Sequence, residues 1–410
     1  MCAEGTMSFT NSRTLLQRLR NVDALAQARP GMFLTGYTRL GGYPAFVERA
    51  AGPYIWDVDG NRYLDYMLGY GSVILGHADP IVTAAVNRTL SRGVNPSLLS
   101  PVHVELAERI VEISPCAELV TFLKTGSDAI AAAVRLARAV TGRTHILQWG
   151  HHGWHDWFAT LSPGVLTDTK ARVHPFQYNN IEDAAQLFDQ FRGDVAAVVM
   201  MPYEIEAPRP GYLQELKQLA HDNGALFIFD EVRSGFRIAL GGAQEYFNVV
   251  PDLAAFSKAI ANGHAISVLA GRREYMQHIL DLALTVTYYR LPEAMAAALA
   301  TINEIETIGS ADRLTFLGSR LTAGLQAAAL QAGIPARAVG FPATPFIEFD
   351  YDDQPSREHA MRQFCNGMLS HGVLMMPAHH WFLCASMSTA DIDQTIETAT
   401  AVFSEMARTS

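Results

Sequence analysis

The sequence predicts an α/β protein: a large domain with a mainly parallel central sheet and a smaller α+β domain. Three observations carry this. From about residue 79 to 270, short β-prone apolar runs alternate with helical or loop segments, the pattern of strands covered on both faces by helices. Beyond residue 290, long Ala-rich helical periodicity gives way to alternating strand and helix signals. The chain has 410 residues, 49% hydrophobic and 18% charged, enough apolar material for a packed core in two or three structural units.

Taken in order, the first 40 residues read as an arm, with a possible amphipathic helix over Ser12 to Arg20 and a turn at Arg29-Pro30-Gly31. The runs Leu119 to Leu123, His145 to Trp149, Val195 to Met201, Ala225 to Phe229 and Ile266 to Ala270 are of strand length. Leu291 to Leu330 is periodic enough for long helices. Ala343 to Asp350 reads as a strand, Ser356 to Ser370 as a helix and Gly372 to Met376 as a strand, with a last helix opening near Thr389-Ala390-Asp391. The expected division is 1–78 for the arm and part of the small domain, 79–288 for the large domain and 289–410 for the C-terminal small domain.

The formal charge of −10 and the lack of any basic run disfavour nucleic acid as a partner. Apolar stretches such as Val195 to Met201 fall far short of the roughly 20 residues of a membrane helix. The first residues lack a basic region followed by an apolar one, so no secretory signal is expected and the cytoplasm is the expected location. Cys2, Cys116, Cys365 and Cys384 are scattered with no Cys-x-x-Cys pair, which suggests reduced thiols and no metal-ligand spacing.

Nucleotide motifs are absent: Gly69-Tyr70-Gly71 is followed by Gly76, which breaks the G-x-G-x-x-G spacing, and no P-loop occurs. Thr125-Gly126-Ser127-Asp128-Ala129 follows a predicted strand. It opens a helix with apolar residues Ile130, Ala133, Val134, Ala137 and Val140 at helical spacing. Its free N–H groups and positive dipole end suit an anion, although Ser and Asp also serve as plain N-caps. Asp230-Glu231 puts two carboxylates at the end of a buried strand, where ligands bind in open α/β sheets. One could pair with a cationic ring nitrogen or a metal, or one could cap the next helix. Lys258 emerges from the apolar run Leu253 to Phe256; partial desolvation there would lower its pKa and make it a possible Schiff-base former. His151 and His155 would pair on a metal only in a helix, and Gly153 between them argues against one. An aromatic-rich loop stacking on a planar cofactor fits better.

Together these segments resemble the class III (fold type I) pyridoxal-phosphate aminotransferases, in particular the branch containing glutamate-1-semialdehyde aminomutase. The resemblance runs from about Gly41. It rests on Trp56 to Tyr66, Ile74-Leu75-Gly76-His77, Thr125 to Ala129, Gly153-Trp154-His155-Asp156, Asp230 to Arg237 and Ser257 to Gly263. It implies pyridoxal 5'-phosphate as cofactor, held by Lys258 as a Schiff base, with Asp230 on the pyridine nitrogen and Gly126 and Ser127 on the phosphate. Val232 would pack under the ring, and His151 stands where the family usually has a stacking Tyr. Val286-Thr287 followed by Pro292 resembles the segment whose Thr reaches the cofactor phosphate of a neighbouring subunit, implying a homodimer with shared active sites.

Departures bear on the substrate. The aminomutase's substrate-binding Arg is replaced by Thr35, with Arg39 nearby; Tyr289-Arg290-Leu291 replaces the usual Ser-Gly-Asn; Met201-Pro202 replaces Glu-Pro; and the C-terminal stretch shortens to Ala378-His379-His380-Trp381. These make action on glutamate semialdehyde unexpected. The expected activity is transfer of an amino group between an amine or amino acid and a carbonyl acceptor, with Tyr70, Tyr289, Arg290, His380 and Trp381 as candidate pocket residues. An aminomutase, racemase or epimerase of the same family is the alternative. A catalytically silent scaffold is a third reading, against which the presence of Lys258 and Asp230 counts.

Overall fold

A computed structural model of the chain describes residues 7, 9–24, 46–377 and 379–409. It divides into two compact units, one of residues 1–79 with 312–410 and one of residues 80–311.

The smaller unit begins with helix α1 (Thr10–Arg20), preceded by Phe9, which offers no capping side chain. The cap comes from elsewhere in the unit. The Asn11 and Ser12 N–H groups donate to the Asp59 carboxylate at 2.7 and 2.9 Å. Asp59 lies in the turn between β2 (Tyr54–Asp57) and β3 (Arg62–Asp65), which form an antiparallel sheet with β1 (Val47–Ala51).

The larger unit opens with α2 (Pro80–Leu90) and α3 (Pro101–Ile113). Then follow β4 (Leu119–Leu123), α4 (Gly126–Thr141), β5 (His145–Trp149), β6 (Val173–Pro175), α5 (Ile181–Gln190), β7 (Val195–Met200), α6 (Tyr212–Asp222), β8 (Leu226–Asp230), β9 (Leu253–Phe256), β10 (Ser267–Gly271) and α7 (Pro292–Thr307). Seven strands form one sheet in the order β4-β10-β9-β8-β7-β5-β6. Every pairing is parallel except the two made by β10, so the other six strands share one direction. Strands β7, β8, β9 and β10 are buried along their whole length, which is why they read as unbroken apolar runs. On α4, Ile130, Ala133, Val134 and Ala137 are fully buried against this sheet, and the small alanines let the helix approach it closely.

The rest of the smaller unit comprises α8 (Ser310–Ala332) from residue 312 onward, the hairpin β11 (Ala336–Phe341) and β12 (Thr344–Phe349), α9 (Gln354–Ser370), β13 (Val373–Leu374) and α10 (Thr389–Thr409). Strand β13 joins the N-terminal sheet alongside β3 in parallel. The apolar runs anticipated as strands are strands. Six further strands among the described residues, β1, β2, β3, β6, β9 and β11, were not anticipated. The unit boundary also falls later than residue 289, because α7 packs on α2 and α3 of the larger unit.

Candidate active site

Strands β4, β5, β7, β8 and β9 share one direction, so the residues that follow them emerge at one edge of the sheet. That carboxyl edge is where open α/β sheets bind ligands. It receives Thr125 and the start of α4 after β4, His151 and His152 after β5, Asp230 as the last residue of β8, and Lys258 just past β9.

Asp230 is buried and doubly held. One carboxylate oxygen accepts the Val232 N–H at 3.0 Å and the other faces His152 Nδ1 at 2.7 Å. Glu231 has a different task. It is fully buried and accepts N–H bonds from Ala243 and Gln244 and the Ser234 hydroxyl; desolvation pushes its carboxyl up, opposed by those donors. The two roles left open for the Asp-Glu pair are therefore divided between them: Glu231 caps the short helix Ala243–Tyr246, and Asp230 is presented at the sheet edge.

Lys258 has a φ of +50°. A non-glycine residue in this region stores strain that surrounding structure must hold. It opens a 3₁₀ turn, Lys258–Ala261, behind Ser257, whose hydroxyl is fixed to the Ile266 carbonyl at 3.0 Å. The side chain is largely buried. Desolvation, then the nearby Arg233 and Arg237 guanidinium groups, lower its pKa to about 8, with Asp230 opposing. Among the described residues no hydrogen bond or ion pair holds its amine.

At the start of α4, Thr125 and Asp128 form a reciprocal capping box: the Thr125 N–H donates to the Asp128 carboxylate at 2.8 Å, and the Asp128 N–H to Thr125 Oγ1 at 3.2 Å. This satisfies two of the first-turn donors and leaves the Gly126 and Ser127 N–H groups available. The N-cap and anion-site readings are thus both accommodated. The packing explains the glycines. A Cβ on Gly126 would lie 2.8 Å from the Val232 side chain, and one on Gly153 would lie 2.0 Å from Ser127 Oγ. The loop after β5 and the turn after β8 both close onto this helix end. His155 Nε2 faces the Asp128 carboxylate at 3.6 Å.

His151 is exposed and edge-on to Phe158 at 5.4 Å, its N–H donating to Met201 Sδ. Its neighbour His152, which the sequence reading passed over, is the one on Asp230. Only the exit direction of β5 could have separated two adjacent imidazoles. Val286 packs against the core, while Thr287 beside it is exposed. Arg290 lies over the Tyr289 ring at 4.4 Å in the same unit.

Tyr70 and His380 belong to the smaller unit. Leu68, Gly69, Tyr70 and Gly71 all have positive φ, between 46° and 83°, a left-handed turn that sets the Tyr70 ring edge-on to His379 at 5.2 Å. His380 is half-buried beside Phe346. Trp381 corrects the pocket expectation: it is fully buried, its indole N–H donates to the Met376 carbonyl at 3.0 Å, and it stacks on Phe364, so it is a core residue. Thr35, Arg39, Ala378 and Cys2 lie outside the described residues.

A strained, desolvated lysine, a buried carboxylate and two free N–H donors at a helix start, all on the carboxyl edge of this sheet, fit one cofactor: an aldehyde-bearing pyridinium with a phosphate. They define a fold type I pyridoxal-phosphate enzyme. The chain belongs to the class III aminotransferases, whose family signature matches residues 38–403. It is similar to a 3-aminobutyryl-CoA aminotransferase of Cloacimonas acidaminovorans, 35% identical over 365 residues that cover 87% of this chain and 88% of that one. A glutamate-1-semialdehyde 2,1-aminomutase of Desulfitobacterium hafniense is 33% identical over 420 aligned positions, covering 93% and 97%. The solved structure of the FumI protein of Sphingopyxis sp. MTA144, in its PLP internal aldimine form, superposes with a TM-score of 0.91 at 30% identity over 97% of each chain. Among the described residues no helix is long and apolar enough to cross a membrane.

Proposed function

We propose that this class III aminotransferase works through Lys258 and Asp230, with Gly126, Ser127, Val232 and His151 around the cofactor and Thr287 serving the site of a second copy. The observation that carries the reading is Lys258: largely buried, strained at φ +50°, its amine unheld and lowered to about 8 within electrostatic reach of Asp230. Pyridoxal phosphate, when bound, supplies a ring that draws off the negative charge left on a substrate carbon after proton loss. Lys258 would hold it covalently. A sizeable fraction of the Lys258 amine is neutral near pH 8, so Nζ can take a proton from a neighbouring carbon and return one. The Asp230 carboxylate favours a protonated ring nitrogen. The Gly126 and Ser127 N–H groups suit the phosphate, and Val232, wedged against Gly126, would pack under the ring.

The similarity to a 3-aminobutyryl-CoA aminotransferase makes amines with nitrogen away from an α-carbon the first donors to test. A homodimer is supported by the exposure of Thr287 and of Leu98, Leu99 and Tyr288 in the same unit. A cytoplasmic location is in keeping with Cys116, Cys365 and Cys384, which are buried free thiols.

The test is a panel of amines and amino acids mixed with the purified enzyme while the visible band of the bound cofactor is followed. At least one donor should bleach the band and halt after a single turnover, and Lys258→Ala should lack the band. Continued turnover on one amine alone would indicate an isomerase. A band unmoved by the whole panel, or unchanged in Lys258→Ala, would defeat the reading.

A further inference from the structure

We propose that His145 and His174 form an acid-released latch, which fastens the edge strand β6 and the returning end of the loop after β5 to the large sheet. That loop starts with His151 and His152 at the carboxyl edge and comes back to the sheet at β6. β6 itself is weakly held. It is three residues long, stands at the end of the strand order and finishes in Pro175, which has no N–H to give. The two imidazoles add a side-chain link between it and β5. His145 Nδ1 and His174 Nε2 are 2.8 Å apart with ring centroids at 5.0 Å, so the rings meet edge to edge, nitrogen to nitrogen. Phe191, just past α5, covers both rings at 4.3 and 4.0 Å.

A bond between two imidazoles needs one hydrogen between the facing nitrogens and no more. Asp194 decides which ring brings it. Its carboxylate accepts the Thr144 N–H at 2.9 Å and faces His145 Nε2 at 3.6 Å, which draws the hydrogen of neutral His145 to Nε2. Nδ1 is left bare, and His174 Nε2–H donates to it. Acid breaks this arrangement. One extra proton can be shared, with the charge on His145 beside Asp194 and His174 shifting its own hydrogen to Nδ1. A second sets N–H against N–H, and the link is lost. Burial, opposed by Asp194 and helped by Arg172 and Arg138, holds His145 below the usual 6.5; burial and the neighbouring His145 do the same to His174. Asp189 and Arg192, which flank Phe191, pair with each other at 2.6 Å. Because both folded values lie below the unfolded one, the unfolded chain takes up protons first as pH falls. The link therefore contributes in full above about 6.5 and is lost below it.

The experiment follows amide hydrogen exchange of the holoenzyme by mass spectrometry at about pH 7.5 and about pH 5, corrected for the intrinsic exchange rate at each. Protection across residues 165–176 should fall on the order of tenfold at the lower pH, the scale of one lost hydrogen bond, while β7 and β8 keep theirs. His174→Gln, whose amide can donate or accept at the same place and does not titrate, should keep most of the wild-type protection at both pH values. His174→Leu should show the low protection already at about pH 7.5. Circular dichroism checks that both variants fold. Nitrogen-15 NMR of histidine-labelled enzyme should show neutral His145 with its hydrogen on Nε2. Cofactor loss at about pH 5, read from the visible band, should be slower in His174→Gln than in the wild type. This last readout rests on the cofactor assignment above and the exchange does not, so the two fail separately. Wild-type protection that is equal at both pH values, a folded Leu variant protected like the wild type at about pH 7.5, a Gln variant as acid-labile as the wild type, or hydrogen on Nδ1 of neutral His145 would overturn the latch. Equal cofactor loss in the wild type and the Gln variant would overturn its hold on the loop.

Discussion

Lys258 should leave a signature on the stability of the cofactor-free chain. Its ammonium ordinarily titrates near 10.5, and in the folded protein burial, helped by Arg233 and Arg237, brings this to about 8. Between those values the unfolded chain binds a proton that the folded chain does not, so stability rises with pH across that window. Below about 8 both states are protonated and the cost of burying the charge is felt in full, roughly 3 kcal/mol from the difference between the two values. Denaturant midpoints of cofactor-free wild type should therefore climb relative to Lys258→Met between about pH 8 and 10.5. Parallel profiles would mean that the amine is not desolvated. The burial of the lysine and of Asp230 was legible in the sequence because each comes at or just after the end of an apolar run. His152 was not, since two adjacent histidines differ only in which way the chain leaves β5. Trp381 misled because aromatic bulk serves core and pocket alike, and its bonded indole N–H settles it as core.

At the level of elements, α1 depends on a cap it does not carry. Asp59 supplies both hydrogen bonds from the β2–β3 turn, and its carboxyl is lowered below the usual value of 3.8. Partial burial opposes that shift, and the Ser12 and Asn11 N–H donors outweigh it. A depressed carboxyl contributes above its unfolded value and is lost as pH falls through its folded one, so this anchor should release only in acid below about 3.8. Asp59→Ala should speed hydrogen exchange in α1 at neutral pH while leaving the large sheet's amides unchanged. Unaltered protection in α1 would show that apolar contacts such as Leu16 suffice. The same dependence on neighbours explains which elements the sequence concealed. β6 is a three-residue edge strand ending in Pro175, β9 contains two alanines, and β11 carries an exposed arginine with two salt bridges. Each is a strand because a partner is already in place, whereas β7, β8 and β10 announce themselves by burial on both faces.

For the molecule as a whole, the open matter is whether one chain makes a complete site. Thr287 is exposed beside Val286, which packs on the core, and Leu98, Leu280 and Tyr288 of the same unit are 82%, 87% and 59% exposed. Large apolar side chains mark a contact surface where they form a contiguous patch. If Thr287 serves the cofactor phosphate of a second copy, defects at Lys258 and Thr287 act on different sites of a dimer. Lys258→Ala and Thr287→Asp should each be severely impaired alone, the latter because a carboxylate would meet a phosphate. Unfolding and refolding them together creates mixed dimers in which one site receives both defects and the other neither. With random pairing, roughly a quarter of all sites become intact, and activity should recover to about that level. Thr287→Asp that is fully active alone, or a refolded mixture no better than its components, would mean that each chain serves only its own cofactor. Light scattering on the same samples separates that outcome from a failure to pair, because monomers would show at half the mass of the dimer.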